Sequence, residues 1–124
     1  MIVNPQKIEI VKEAIFRLAN FSSEEWDFYR SHIEEVQFKK KEFLTEIDQV
    51  ESCTYFIIEG AVKYISFKED KEICVDLGFK GNFVSSFASC LSQTPSSIGI
   101  QAVTKVTAMR LRYQPVLELL ERTI

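Results

Sequence analysis

The chain has 124 residues, 46% of them hydrophobic and 12% aromatic, enough to fill one core and too few for two. Its formal net charge of -3 argues against a nucleic-acid binder, because phosphate backbones are gripped by clustered excess lysine and arginine. The three cysteines, Cys53, Cys74 and Cys90, are odd in number and set in apolar or β-like runs, which excludes a disulfide framework and suits buried, reduced thiols in a cytoplasmic protein.

In chain order, Ile8, Val11, Ile15 and Leu18 recur at helical spacing after Pro5 and predict an amphipathic helix over 6–18, with Lys7, Lys12, Glu13 and Arg17 toward water. The start lacks the basic, apolar and small-residue pattern of a signal peptide, and no later segment approaches the ~20 apolar residues of a membrane span. Ser22-Ser23-Glu24-Glu25 has the form of a capping box, and Trp26, Tyr29 and Ile33 follow at i, i+3 and i+7, so a second helix is expected to reach about residue 33. His32, the sole histidine, would then fall late in that helix beside Glu34 and Glu35, a surface or boundary position. Lys39-Lys40-Lys41 sits among acidic neighbours and reads as a solvated loop.

Beyond it the period changes to two. Short β-rich runs over 42–44, 55–58, 61–67, 72–77, 97–103 and 106–111 are separated by polar breaks without long helices, which predicts an antiparallel barrel or double-sheet jelly roll. Glu69-Asp70-Lys71 is the expected hairpin tip, and Gly60 and Gly78 the expected tight reversals. After Pro115, the residues Val116, Leu117, Leu119 and Leu120 form an apolar stripe that stops with the chain at Ile124, so a helix starting there reads as unfinished.

The run from Thr54 through Gly60 to Phe67, then Gly78-Phe79-Lys80-Gly81-Asn82-Phe83-Val84, then a serine-rich segment ending in Thr94-Pro95-Ser96-Ser97-Ile98, resembles the effector domain of the catabolite-activator and fumarate-nitrate-regulator family. The likeness covers roughly Phe21 to Leu120. It implies a mainly β, antiparallel double-stranded β-helix of the cyclic-nucleotide-binding kind: one domain with a helical N-terminus over 6–33, a jelly roll over 36–112 and the start of a C-terminal helix over 115–124. It also implies a small-molecule effector between the barrel and a short helix around Phe83 to Leu91, homodimerisation of the full-length protein through the C-terminal helix, and DNA reading by a helix-turn-helix module beyond it. This segment alone is expected to hold neither DNA nor membrane.

In that family a Gly-Glu pair reads the ribose hydroxyl and an Arg-Ser pair holds the cyclic phosphate. Here Ser85 and Ser86 stand at the first pair, and Ser96 and Ser97 at the second. Carboxylate and guanidinium are both missing, and no lysine or arginine occurs between Lys80 and Lys105. Hydroxyls and backbone N–H groups can still cradle an anion, at about half the strength of charged donors. The resemblance therefore marks Gly81, Phe83, Val84, Ser85, Ser86, Phe87, Ser96 and Ser97 as candidate ligand-binding residues, disfavours cyclic nucleotide as the ligand, and calls for no cofactor. The plainer alternative makes these turn and cap serines. A ligand-free interaction or dimerisation module would follow, with Phe79, Phe83 and Phe87 filling the space of a purine.

An enzyme finds no constellation. A metal site of the cupin type needs several imidazoles, the nucleophile turn G-x-S-x-G is missing, and an iron–sulfur cluster needs grouped thiolates where the first cysteine is Cys53. Cys90, in the expected pocket helix, reads as an inert small hydrophobe or a redox-sensitive thiol. Arg110, Arg112 and Arg122 face a following domain or, within Met109 to Tyr113, belong to a half-exposed strand.

Overall fold

A computed structural model describes residues 4–18 and 20–114. Helix α1 (Pro5–Leu18) buries Ile8, Val11 and Ile15, the stripe its spacing announces. Helix α2 (Ser23–Arg30) opens on a complete capping box: the Glu25 N–H donates to Ser22 Oγ at 3.1 Å, and the Ser22 N–H donates to Glu25 Oε1 at 2.9 Å. It ends at Arg30, short of the expected residue 33. Ile33 instead begins strand β1 (Ile33–Phe38), paired with Leu111, yet it still joins Trp26 and Tyr29 in one core. An i+7 apolar spacing thus arises from two elements meeting on one core rather than from a single helix. His32 lies in the intervening turn, edge-on to the Phe28 ring.

Seven more strands follow among the described residues: β2 (Phe43–Thr45), β3 (Cys53–Glu59), β4 (Ala61–Lys68), β5 (Lys71–Phe79), β6 (Phe83–Val84), β7 (Gly99–Ala102) and β8 (Val106–Arg112), with a short helix α3 (Phe87–Ser92) between β6 and β7. β1 and β6 are additions to the expected set. Phe83 and Val84 pair with Phe56 and Tyr55 of β3 and so belong to a strand, not to the short helix. The strands form two four-stranded antiparallel sheets, ordered β1-β8-β3-β6 and β2-β7-β4-β5, the jelly-roll architecture expected.

The first sheet is covered on both faces. Phe56, Met109 and Leu111 pack outward against α1 and α2, while the alternate residues Tyr55, Ile57, Val106 and Ala108 point inward to Val62, Val84 and Ile100. Double coverage explains why β3 and β8 read as nearly continuous apolar runs. Each fully buried Ile or Val, such as Ile57 and Val106, contributes about 1.5–3 kcal/mol of transfer free energy. Strand β5 is the opposite case: an edge strand with only Gly78 buried, and with Cys74 exposed, contrary to the expectation of three buried thiols.

The β4–β5 hairpin turns at Glu69 and Asp70, both with positive φ (53° and 64°), and Lys71 already belongs to β5. Gly60 makes the β3–β4 reversal at φ +101°, where an added Cβ would lie 2.3 Å from the Lys105 carbonyl oxygen. Gly78 is no reversal. It lies within β5, where a Cβ would meet Val84 Cγ1 at 2.7 Å and Val62 Cγ2 at 2.9 Å, so its role is close packing. The expected helix over 115–124 and Arg122 lie outside the described residues.

Candidate functional site

Two segments distant in sequence meet at one end of the barrel: the turn from β6 into α3, carrying Val84, Ser85 and Ser86, and the loop entering β7, carrying Ser96. The Ser86 and Ser96 hydroxyls lie 2.6 Å apart, and both residues are buried. Ser96 Oγ also donates to the Ile98 carbonyl (2.7 Å) and accepts from the Ile98 N–H (3.2 Å), so its one proton is committed and Ser86 is the donor between them. Ser85, also buried, donates to the Cys53 carbonyl at 2.7 Å and thereby ties the turn to the start of β3.

The other candidates do not join this hydrogen-bonded cluster. Val84 is buried between the sheets, while Phe83 leans the other way onto Phe56, ring centroids 4.9 Å apart. Gly81 is exposed at φ +88° with open space where a Cβ would be, and its N–H donates to the Ile57 carbonyl. Phe87 and Ser97 are exposed. Phe79 and Phe87 stand 52% and 49% exposed, so these two rings do not fill the barrel interior, contrary to the ligand-free picture of a phenylalanine-packed pocket.

What occupies the Ser86–Ser96 corner is a residue that sequence reading passed over. Glu51, only 5% exposed, directs its carboxylate into the cluster. Oε1 accepts from the N–H groups of Ser52 (3.1 Å) and Cys53 (3.2 Å), and Oε2 accepts from the Ser86 N–H (3.3 Å) and from the Thr45 hydroxyl. Its backbone grips α3 as well. The Glu51 N–H donates to Ser89 Oγ at 2.9 Å, and the Glu51 carbonyl accepts from Gln93 Nε2 at 3.1 Å. Ser89 Oγ donates to the Thr94 carbonyl, and Gln93 closes α3 in the left-handed conformation, φ 55°.

The surrounding titrations carry the mark of this corner. Burial first, then the negative charge of Glu51 and the neighbouring Cys53, push the Cys90 thiol up to about 11. Burial, Cys53 and Glu51 likewise push Tyr55 up to about 12, against an opposing pull from Arg110. A thiol so placed is a poor nucleophile, which favours the inert reading of Cys90. Arg110 and Arg112 pair within the domain, on strand β8. Arg110 Nη2 holds Glu34 Oε2 at 2.9 Å and Arg112 Nε holds Glu34 Oε1 at 3.0 Å, across the β1–β8 pairing.

The family profile of the cyclic nucleotide-binding domain matches residues 35–123. The chain belongs to the cyclic nucleotide-binding domain family. Among solved structures, the regulatory domain of Toxoplasma gondii protein kinase A with cAMP matches with a TM-score of 0.83 at 12% identity, over 95% of this chain and 46% of that one. The sensor domain of the transcriptional regulator DNR from Pseudomonas aeruginosa matches with a TM-score of 0.78 at 15% identity, over 91% and 75%. The Thermus thermophilus catabolite activator protein matches with a TM-score of 0.70 at 18% identity, over 86% and 50%. At such identities the likeness is one of fold. The chain spans about half the length of two of these neighbours, and no curated relative matches it. No helix among its described residues is long and apolar enough to cross a membrane, and these residues contain no group of three or more His, Cys, Asp or Glu placed to hold a metal ion.

Proposed function

We propose that this domain is the sensory part of a cytoplasmic transcription regulator of the catabolite-activator and fumarate-nitrate-regulator kind, taking a small polar effector at the Ser86–Ser96 corner. The carrying observation is the convergence of the β6–α3 turn and the β7 entry loop at Ser86 and Ser96, 2.6 Å apart inside the jelly roll. These are the two segments from which the family builds its effector cradle.

The chemistry of the corner selects the effector. Between Lys80 and Lys105 there is no cation to pair a phosphate, and a buried carboxylate already takes the Ser86 N–H. Neither of the two converging segments carries a guanidinium for a phosphate, and the effector is a small molecule held by hydroxyls and backbone groups, with Val84, Ser85, Ser86 and Ser96 innermost and Gly81, Phe83, Phe87 and Ser97 at the periphery. An effector that fits one placement of α3 better than another shifts the population of that helix, and with it the segment leaving β8 after Arg112. Output in the full-length protein is a homodimer reading DNA through a following helix-turn-helix module.

The test is a thermal-shift panel on this chain, with neutral nucleosides, cyclic nucleotides and small polar metabolites, joined to the coding sequence downstream of Ile124. A stabilising neutral ligand and a helix-turn-helix downstream support the reading. A flat panel with no such module favours a second reading, a ligand-free interaction module. The complete internal pairing around Glu51 speaks for that reading more than the phenylalanines do.

A further inference from the structure

We propose that Glu51 is a built-in ligand of this domain: its buried carboxylate takes up the donors that an external anion would use, fixes α3 in place and bars anionic effectors from the corner. The inference rests on reading the Ser86–Ser96 corner as the effector site.

A carboxylate this deeply buried is costly unless its lone pairs are filled, and it usually finds a cation. Glu51 makes no ion pair among the described residues. Three backbone N–H groups and one hydroxyl hold it instead, the pattern by which proteins receive bound anions. The four donors come from three places. Thr45 lies in β2 of the second sheet, Ser52 and Cys53 lead into β3 of the first, and Ser86 caps α3. One side chain thus staples both sheets to the short helix, while its own backbone holds Ser89 of that helix and Gln93, its C-cap. Local strand formation requires none of this, since β3 begins only at Cys53. The arrangement belongs to α3 and its placement.

An anion entering the corner would compete with Glu51 for the Ser86 N–H and meet its charge at the same time. Taking the carboxylate away leaves a small polar hole with four orphaned donors, one that a detached carboxylate fits.

The experiment is a set of melts of the whole chain as wild type, Glu51→Ala and Glu51→Gln, in chloride, formate, acetate and inorganic phosphate at matched ionic strength. Wild type should show only the small general salt effect that any folded chain shows among these anions. Glu51→Ala should melt lower in chloride and recover by about 5 °C or more in formate or acetate. Glu51→Gln fills the hole and should not recover. Equal melting of Glu51→Ala in chloride and formate overturns the proposal, and so does a wild type that gains as much from the anions as the variant.

Should Glu51→Ala fail to fold, hydrogen exchange decides with Glu51→Gln. Faster exchange at the Cys90 and Gln93 amides of α3 than in wild type supports the latch, and unchanged exchange overturns it. The two readings fail separately. Absence of rescue in a chain that still answers a neutral effector sinks the built-in ligand alone, whereas rescue in a chain that answers no effector sinks the sensory reading.

Discussion

Ser86 donates its hydroxyl proton to Ser96 across a 2.6 Å contact in the interior, and that one bond joins the β6–α3 turn to the entry of β7. Ser96→Ala removes an acceptor from Ser86 and from the Ile98 N–H and a donor from the Ile98 carbonyl, at a cost of about 2 kcal/mol. Ser86→Ala leaves Ser96 its other partners and costs about 1 kcal/mol. Urea melts of the two single variants and the double variant should give a coupling energy of about 1 kcal/mol. Coupling near zero would separate the two segments.

Two glycines with positive φ should respond differently to alanine. At Gly60 the new Cβ would lie 2.3 Å from the Lys105 carbonyl oxygen, so backbone must move in addition to the conformational strain, and Gly60→Ala should cost about 3 kcal/mol or more. Gly81 has nothing within 4 Å of the added atom, so Gly81→Ala carries only the conformational cost, about 1 kcal/mol. Denaturant midpoints of both variants check the order, and the reverse order would refute the packing argument.

How far the sequence speaks follows from the kind of signal each element carries. Helix α1, the capping box at Ser22 and the β4–β5 hairpin were legible because periodicity, caps and turn residues act locally. Strand β1 was not, because Ile33 carries the same spacing from Trp26 whether it continues a helix or starts a strand, and its partner Leu111 lies far along the chain. Strand β6 was hidden by its length of two residues, a product of pairing with β3 rather than of its own pattern. Ser86 and Ser96 could be named from resemblance, whereas Glu51 could not. A lone acid before an apolar run looks like a solvated loop residue, and only the fold brings Thr45, Ser52, Cys53 and Ser86 around it.

Alkaline solution should loosen the fold in a defined window. The Cys90 thiol rises from its ordinary 9.0 to about 11 and the Tyr55 phenol from 10.0 to about 12, so the folded state holds protons that the unfolded chain releases first. A raised value gives stability that is intact below the unfolded value and lost as pH climbs through the folded one. The melting temperature should hold up to about pH 9 and fall from there toward 11. Thiol labelling at pH 7.5 should modify exposed Cys74 rapidly and spare Cys53 and Cys90 until denaturant is added. Rapid labelling of all three in the native protein would contradict the burial described.

On the acid side the sensitive group is Glu34, whose carboxyl is held below its usual 4.5 first by the hydrogen bond from Arg110, against its own desolvation, and then by the charges of Arg110 and Arg112. A lowered carboxyl gives stability that is present above the unfolded value and lost as pH falls through the folded one. Glu34 is 40% exposed, so solvent screens the pair and Glu34→Gln should cost under about 1 kcal/mol near neutrality. The variant should also lose less of its melting temperature than wild type below pH 4.5, and high salt should narrow the gap. An unchanged acid limb would remove Glu34 from the account.

Strand β8 lies between β1 and β3, bonded to both, although it is the last of the described strands. Until the ribosome has released the stretch up to Arg112, β1 has no neighbour and the apolar side chains of α1 and α2 have half a wall to lean on. Synthesis of this domain is therefore silent until its closing strand emerges. Folding then comes as a single late event, at the moment when β8 slots between β1 and β3 and completes the first sheet.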